Sequence, residues 1–167
     1  MIGSAALHKA IVAAWSAAGL DAKFNTYWTT DSQSRYPVLN DTDATPGQEF
    51  PYCVYEIDDA PITVRMSGID PDNTNIKQAI RDVPLHFMIY TKIDSDSETA
   101  KELAADLMEE VTKVFGGHPD TSPDGLTLDS GEHVITQYEN DNAERQGDEE
   151  WQWTIDYIVK LDVPLAV

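Results

Sequence analysis

Trp151-Gln-Trp-Thr-Ile-Asp-Tyr-Ile-Val-Lys-Leu-Asp-Val163 is the stretch that decides how this chain folds. Trp151, Trp153, Ile155, Tyr157, Val159, Leu161 and Val163 take every second position. Gln152, Thr154, Asp156, Ile158, Lys160 and Asp162 stand between them. Side chains of an extended strand point alternately to opposite faces, so this pattern predicts one long, half-buried strand from Glu150 to Val163. Strands usually run about five or six residues. One this long is expected to reach past its own sheet towards a partner.

The same alternation recurs upstream. Between Ile80 and Lys92, Val83, Leu85, Phe87 and Ile89 fall on one face, and His86, Met88 and Tyr90 on the other. Pro84 cannot donate to a ladder, which places it near the strand start or at an edge. Pro51–Ile57 reads as a strand with both faces largely apolar, and Ile62–Met66 as another. Leu126–Leu128, His133–Tyr138 and Lys23–Trp28 are shorter strand candidates. Asn140–Glu150 is polar and reads as a charged turn. Ser67–Asn75 has turn chemistry and reads as the tip of a hairpin arm. Asp31–Gln48, rich in Asp, Thr, Ser, Pro and Gly, is expected to be a long loop.

Two segments switch to helical spacing. Leu7, Ile11, Ala14 and Ala18 make a stripe over Ser4–Ala18, and Gly19 follows in the position of a left-handed cap. The second helix runs to Phe115. Ser95 and Glu98 have capping-box spacing, and Ala100, Leu103, Ala104, Leu107, Met108, Val111, Val114 and Phe115 line one side. Gly116 and Gly117 end it. The order of helix, strands, helix, strands predicts an α+β fold: an antiparallel β-sheet with two α-helices packed on one face, plus a long loop and a hairpin arm. The whole chain, 1–167, reads as a single domain.

Composition narrows the function. The chain has 167 residues, 41% of them hydrophobic, with 11 basic and 30 acidic residues and a net charge of −19. Such a surface repels phosphate, which excludes a protein that grips nucleic acid by releasing counterions. Two readings of the acidity stay open: solubility or a salty habitat, and a surface past which nucleic acid slides. Ile2–Leu20 is too short and polar to span a membrane. Cys53 is the one cysteine, so no intrachain disulfide and no cysteine-based zinc site can form.

The residues of an active site are not written in the sequence. There is no Gly-x-Ser-x-Gly elbow and no phosphate-binding loop. Asp70, Asp72 and Thr74 begin like a calcium loop, but Asn75 stands where its glycine belongs and Arg81 where its bidentate acid belongs. Asp94, Asp96 and Glu98 fail likewise, with Thr99 and Ala105 at those positions. His8, His86, His118 and His133 have no ligand spacing and read as surface or strand residues. Cys53 reads as buried and inert, and Trp151 and Trp153 as core packing. Asp156 reads as an outer-face residue. No cofactor and no catalysis are expected.

The layout resembles the phage tail terminator, or tail completion, family. The matching pieces are the helix ending in Ala17-Ala-Gly-Leu20, the strand Pro51-Tyr-Cys-Val-Tyr55, the strand Leu85-His-Phe-Met-Ile-Tyr90, the helix Ala100–Phe115 and the closing strand Trp153–Leu161. The resemblance implies a structural virion protein, typically a homohexameric ring, that caps the tail tube and joins it to the neck or head. Its partners would be copies of itself, the tail tube protein, and a neck or head-completion protein. DNA would pass through without specific binding, and no membrane would be involved. The protein would reside in the virion, after assembly in the host cytoplasm. The arm from Arg65 to Asp82 and the long last strand would mate with neighbours, making Arg65, Asp70, Asp72, Arg81 and Trp153 candidate interface residues. Asp141, Glu144, Asp148 and Glu149 are candidate lumen acids. Two alternatives remain at this stage: a neighbouring neck or head-completion protein, and a small-molecule-binding α+β module.

Overall fold

The structure, a computed structural model, describes residues 4–24, 50–58, 62–66, 77–93, 97–120, 125–129, 133–147 and 149–164. The elements are α1 (Ser4–Ala17), β1 (Tyr52–Ile57), β2 (Ile62–Met66), β3 (Lys77–Lys92), α2 (Ser97–Phe115), β4 (Leu126–Thr127), β5 (His133–Arg145) and β6 (Glu150–Pro164). The strands form an antiparallel sheet in the order β1–β3–β6–β5–β4, with β2 also paired to β3. The α+β expectation holds, and both helices pack on one face of the sheet.

Alternation sets that face. Val83, Leu85, Phe87 and Ile89 of β3 stand opposite Val159, Tyr157, Ile155 and Trp153 of β6. Directly opposed residues of an antiparallel pair point the same way, so these rows build one continuous apolar surface. Helical periodicity supplies the covering layer. Ala100, Ala104, Leu107, Val111 and Phe115 form the buried stripe of α2, and Leu7, Ile11 and Trp15 that of α1. Phe87 is the meeting point: its ring lies 4.6 Å from Phe115, 5.8 Å edge-on from Tyr157 and 6.1 Å from Trp15.

The end of α2 is fixed to the sheet by polar contacts. The last carbonyls of a helix have no partner within it. Here the Thr136 hydroxyl donates to Phe115 O, and the Tyr157 hydroxyl donates to Gly116 O at 2.7 Å. Gly116 and Gly117 turn the chain away with φ of 125° and 97°. A Cβ on Gly117 would lie 2.6 Å from the Tyr138 ring, so this turn needs glycine for room as well as for conformation. Near its other end, α2 is held by the Thr91 hydroxyl, which donates to Ala100 O at 2.6 Å.

Four sequence expectations need correction. Lys23 and Phe24 follow a short 3-10 turn, Leu20–Ala22, and are not strand; residues 25–28 lie outside the described set. Pro84 sits in the middle of β3, not at its start or at a sheet edge. It is tolerated because β2 pairing ends at Arg81 and β1 pairing begins at Leu85. The Pro84 carbonyl accepts the Asp58 N–H on that side, so the missing donor falls in the gap between β2 and β1. β5 continues through Arg145, well beyond Tyr138. An irregularity between Tyr138 and Asn140 shifts its register, so the alternation breaks and the remainder looks like a turn. Finally, β6 is an inner strand. It pairs with β3 from Glu150 to Pro164 and with β5 from Trp151 to Lys160, so it does not reach past its own sheet. The expected long loop 31–48 and the arm tip 67–75 lie outside the described residues, as do Ser95 and Asp96.

Two substitutions separate the apolar and polar parts of this packing in denaturant unfolding. Phe87→Ala should lose about 3–5 kcal/mol, because it opens a cavity between both helices and the sheet. Tyr157→Phe keeps the ring and removes one hydrogen bond, and should lose about 1–3 kcal/mol, since Gly116 O is left without that donor.

Candidate assembly surface

The sheet is asymmetric. One face carries the helices; the other presents rows that run across four strands. Glu56, His86, Asp156 and Asn140 form one row, and Val54, Met88, Thr154 and Asn142 the next. Tyr52, Tyr90, Gln152 and Glu144 form a third, with the Tyr52 and Tyr90 rings stacked at 4.7 Å. On β5 and β6 this helix-free face is mostly amide, hydroxyl and carboxylate. Lys160 is its cation there, and it is paired to Asp82 at 3.0 Å.

The edges differ too. β5 pairs with β6 on one side; on the other, β4 pairs only with His133 and Val134. From Ile135 to Arg145 no strand stands beside β5 among the described residues. Unpaired edge amides and carbonyls are a template for another strand. Ile135, on the helix-free face of this edge, is 57% exposed, the one large hydrophobic side chain so exposed among the described residues.

Of the candidate interface residues, the three described ones, Arg65, Arg81 and Trp153, lie on three different strands. Arg65 lies on β2 opposite Gln78. Arg81 is 5% exposed and sits opposite Leu161 on the helix side. Trp153 packs against the core on the helix side, and its indole N–H donates to Asp141 Oδ1 at 2.9 Å. Asp70 and Asp72 lie outside the described residues.

The candidate lumen acids separate as well. Glu144 is exposed on the helix-free face. Asp141 stands opposite Ile155 on the helix side and also accepts the Tyr138 hydroxyl, so it anchors two aromatic side chains. The register shift before Asn140 produces this: it brings Asp141 to the same side as Tyr138. Glu149 is half-buried in the turn before β6, its carbonyl accepting the Ile93 N–H at 3.4 Å. Asp148 lies outside the described residues.

Other polar groups are engaged within the fold. The Cys53 thiol is buried, and loss of hydration pushes its pKa far up, which keeps it protonated and unreactive. His8 Nδ1 lies 3.0 Å from the Tyr55 hydroxyl, and burial lowers its pKa. His86 lies between Asp156 and Asp58, a grouping that the sequence did not disclose. Both acids are ordinary strand or turn residues by spacing, and only the sheet register brings them together. Among the described residues no group of three or more His, Cys, Asp or Glu is placed to hold a metal ion, and no helix is long and apolar enough to cross a membrane.

Burial, and then the bond to Asp141 and its charge, push the Tyr138 phenol up to about 12. A nearby carboxylate opposes formation of the phenolate. Asp141→Asn should therefore lower the Tyr138 midpoint in an ultraviolet or NMR titration, and Glu144→Gln on the opposite face should leave it in place. Equal shifts in the two variants would contradict the assignment of Asp141 to the helix side.

The sequence matches no protein-family model and no curated protein.

Proposed function

We propose that this chain is a structural subunit that joins copies of itself into a ring, and that the ring caps a tail tube and meets a neck or head-completion protein. The observation that carries this reading is the edge of β5, open among the described residues, with Ile135 exposed beside it. Eleven residues, Ile135 to Arg145, make an edge roughly 35 Å long at the usual rise of a strand. Left bare, such an edge is an aggregation hazard; filled by a neighbour, it becomes a specific joint. A ring needs one surface of each subunit to fit a different surface of the next, and the β1 and β2 side of the sheet lies at the opposite edge from β5.

The helix-free face supports the second half of the reading. Gln137, Asn140, Asn142, Glu144, Thr154 and Asp156 offer DNA phosphates no cation to exchange for bound counterions. Such a face is suited to line a passage for DNA. Glu144 belongs to this lining and Asp141 does not. A net charge of −19 extends the same repulsion over the whole subunit.

The test is electron microscopy of the purified chain, alone and with the tail tubes it would cap. Rings at tube ends support the reading. A chain that stays monomeric and leaves tube ends bare contradicts it, and attachment to the head vertex instead assigns a neck role. Ile135→Lys should abolish ring formation while changing stability by less than about 0.5 kcal/mol, because Ile135 is exposed in the protomer. Within intact rings, Asn142→Lys with Glu144→Lys should slow DNA exit; unchanged exit would remove the lumen assignment.

A further inference from the structure

His86 stands on the helix-free face of β3, and each of its ring nitrogens has its own carboxylate. Nδ1 lies 2.6 Å from Asp156 Oδ1 on β6. Nε2 lies 3.1 Å from Asp58 Oδ2, one residue beyond the end of β1. Ionised carboxylates only accept hydrogen bonds. A neutral imidazole donates once and would turn a lone pair towards the other carboxylate; the imidazolium donates to both. The geometry is therefore that of a charged ring on β3 bridging β6 and the residue that follows β1, three neighbouring segments of the sheet.

Asp58 is tied to β3 twice. Its N–H donates to Pro84 O at 3.0 Å, and its side chain holds His86. It follows β1 directly, and β2 begins at Ile62. The charges that face His86 come from each neighbouring strand. Glu56 is directly opposite on β1 and Asp156 directly opposite on β6, while the next position in the row, on β5, is the neutral Asn140. Along β3 itself Pro84 and Met88 are uncharged, and Asp82 is engaged by Lys160. Two carboxylates thus hold one imidazole, with no cation beside it in its row.

We propose that His86 is a proton-operated staple that locks the end of β1, at Asp58, onto β3 and β6 when charged and releases it when neutral. The end of β1 is then held to β3 and β6 while the ring carries its proton and the two carboxylates stay ionised, and it is freed as pH rises through the raised folded value. Loss of hydration lowers the affinity of the ring for its proton, but the bonds to Asp156 and Asp58 and their charges outweigh that loss, so the folded pKa is raised. A group raised in the folded state contributes stability that is fully present below its unfolded value of about 6.5. That contribution is lost as pH rises through the raised folded value. The departing proton goes to solvent, since Asp58 and Asp156 are partly exposed.

The experiment is an NMR titration of the His86 ring in the full chain, with exchange of the Asp58 amide followed on the same samples and corrected for intrinsic base catalysis. The staple predicts a ring midpoint above 6.5, and a loss of Asp58 protection that follows the same midpoint. Asp58→Asn and Asp156→Asn should each lower the midpoint, and His86→Gln should leave the Asp58 amide weakly protected at every pH. A ring that titrates at or below 6.5 in the unsubstituted protein overturns the proposal. So does an Asp58 amide whose protection ignores the ring.

Discussion

The last carbonyls of α2 have nowhere to go within their own helix, and the sheet supplies the donors. Thr136 on β5 and Tyr157 on β6 reach across to Phe115 O and Gly116 O. These two bonds fix the helix end against two adjacent strands at once, directly beside the Phe87 and Phe115 contact at the centre of the core. Buried carbonyls left without donors would cost about 1–3 kcal/mol each, a large part of the margin that holds a domain of this size together. The glycine pair belongs to the same device. It lets the chain turn sharply enough for Tyr138 to lie where any side chain at Gly117 would collide with it.

What happens at Tyr138 determines the free surface of the molecule. Up to that residue β5 follows the register that serves the core. The shift before Asn140 then resets which side chains face the helices. Asp141 is drawn to the helix side, where it holds the Trp153 indole and the Tyr138 hydroxyl, and Asn140, Asn142 and Glu144 pass to the open face. One irregularity thus builds both a polar anchor for the aromatic end of β6 and an amide-and-acid surface on the far side. The edge amides of β5 stay open along its length beyond β4 among the described residues.

Periodicity made the inner strands and both helices legible. The buried rows of β3 and β6 are the alternating residues of the sequence, and the buried stripe of α2 is its helical repeat. Glycine chemistry located the ends of α1 and α2 correctly. The second half of β5 was not legible, because Glu139-Asn-Asp-Asn-Ala-Glu-Arg145 has no apolar alternation. Its strand character comes from pairing with β6, which is a tertiary effect. Sheet order was equally hidden. Strict alternation gives a strand its length but says nothing of whether it lies inside or at an edge, so the free edge fell to β5 and not to β6. The Asp58, His86 and Asp156 grouping depends on register between strands distant in sequence, which no local pattern encodes.

The proposed role of β5 as the joint between subunits is tested most directly by backbone amide exchange over Ile135–Arg145, compared between protomer and assembled ring. Amides of this segment that exchange freely in the protomer should become protected on assembly, while those of β6 from Trp151 to Lys160, already paired on both sides, should change little. Rings that form with the β5 amides exchanging as fast as in the protomer would contradict it.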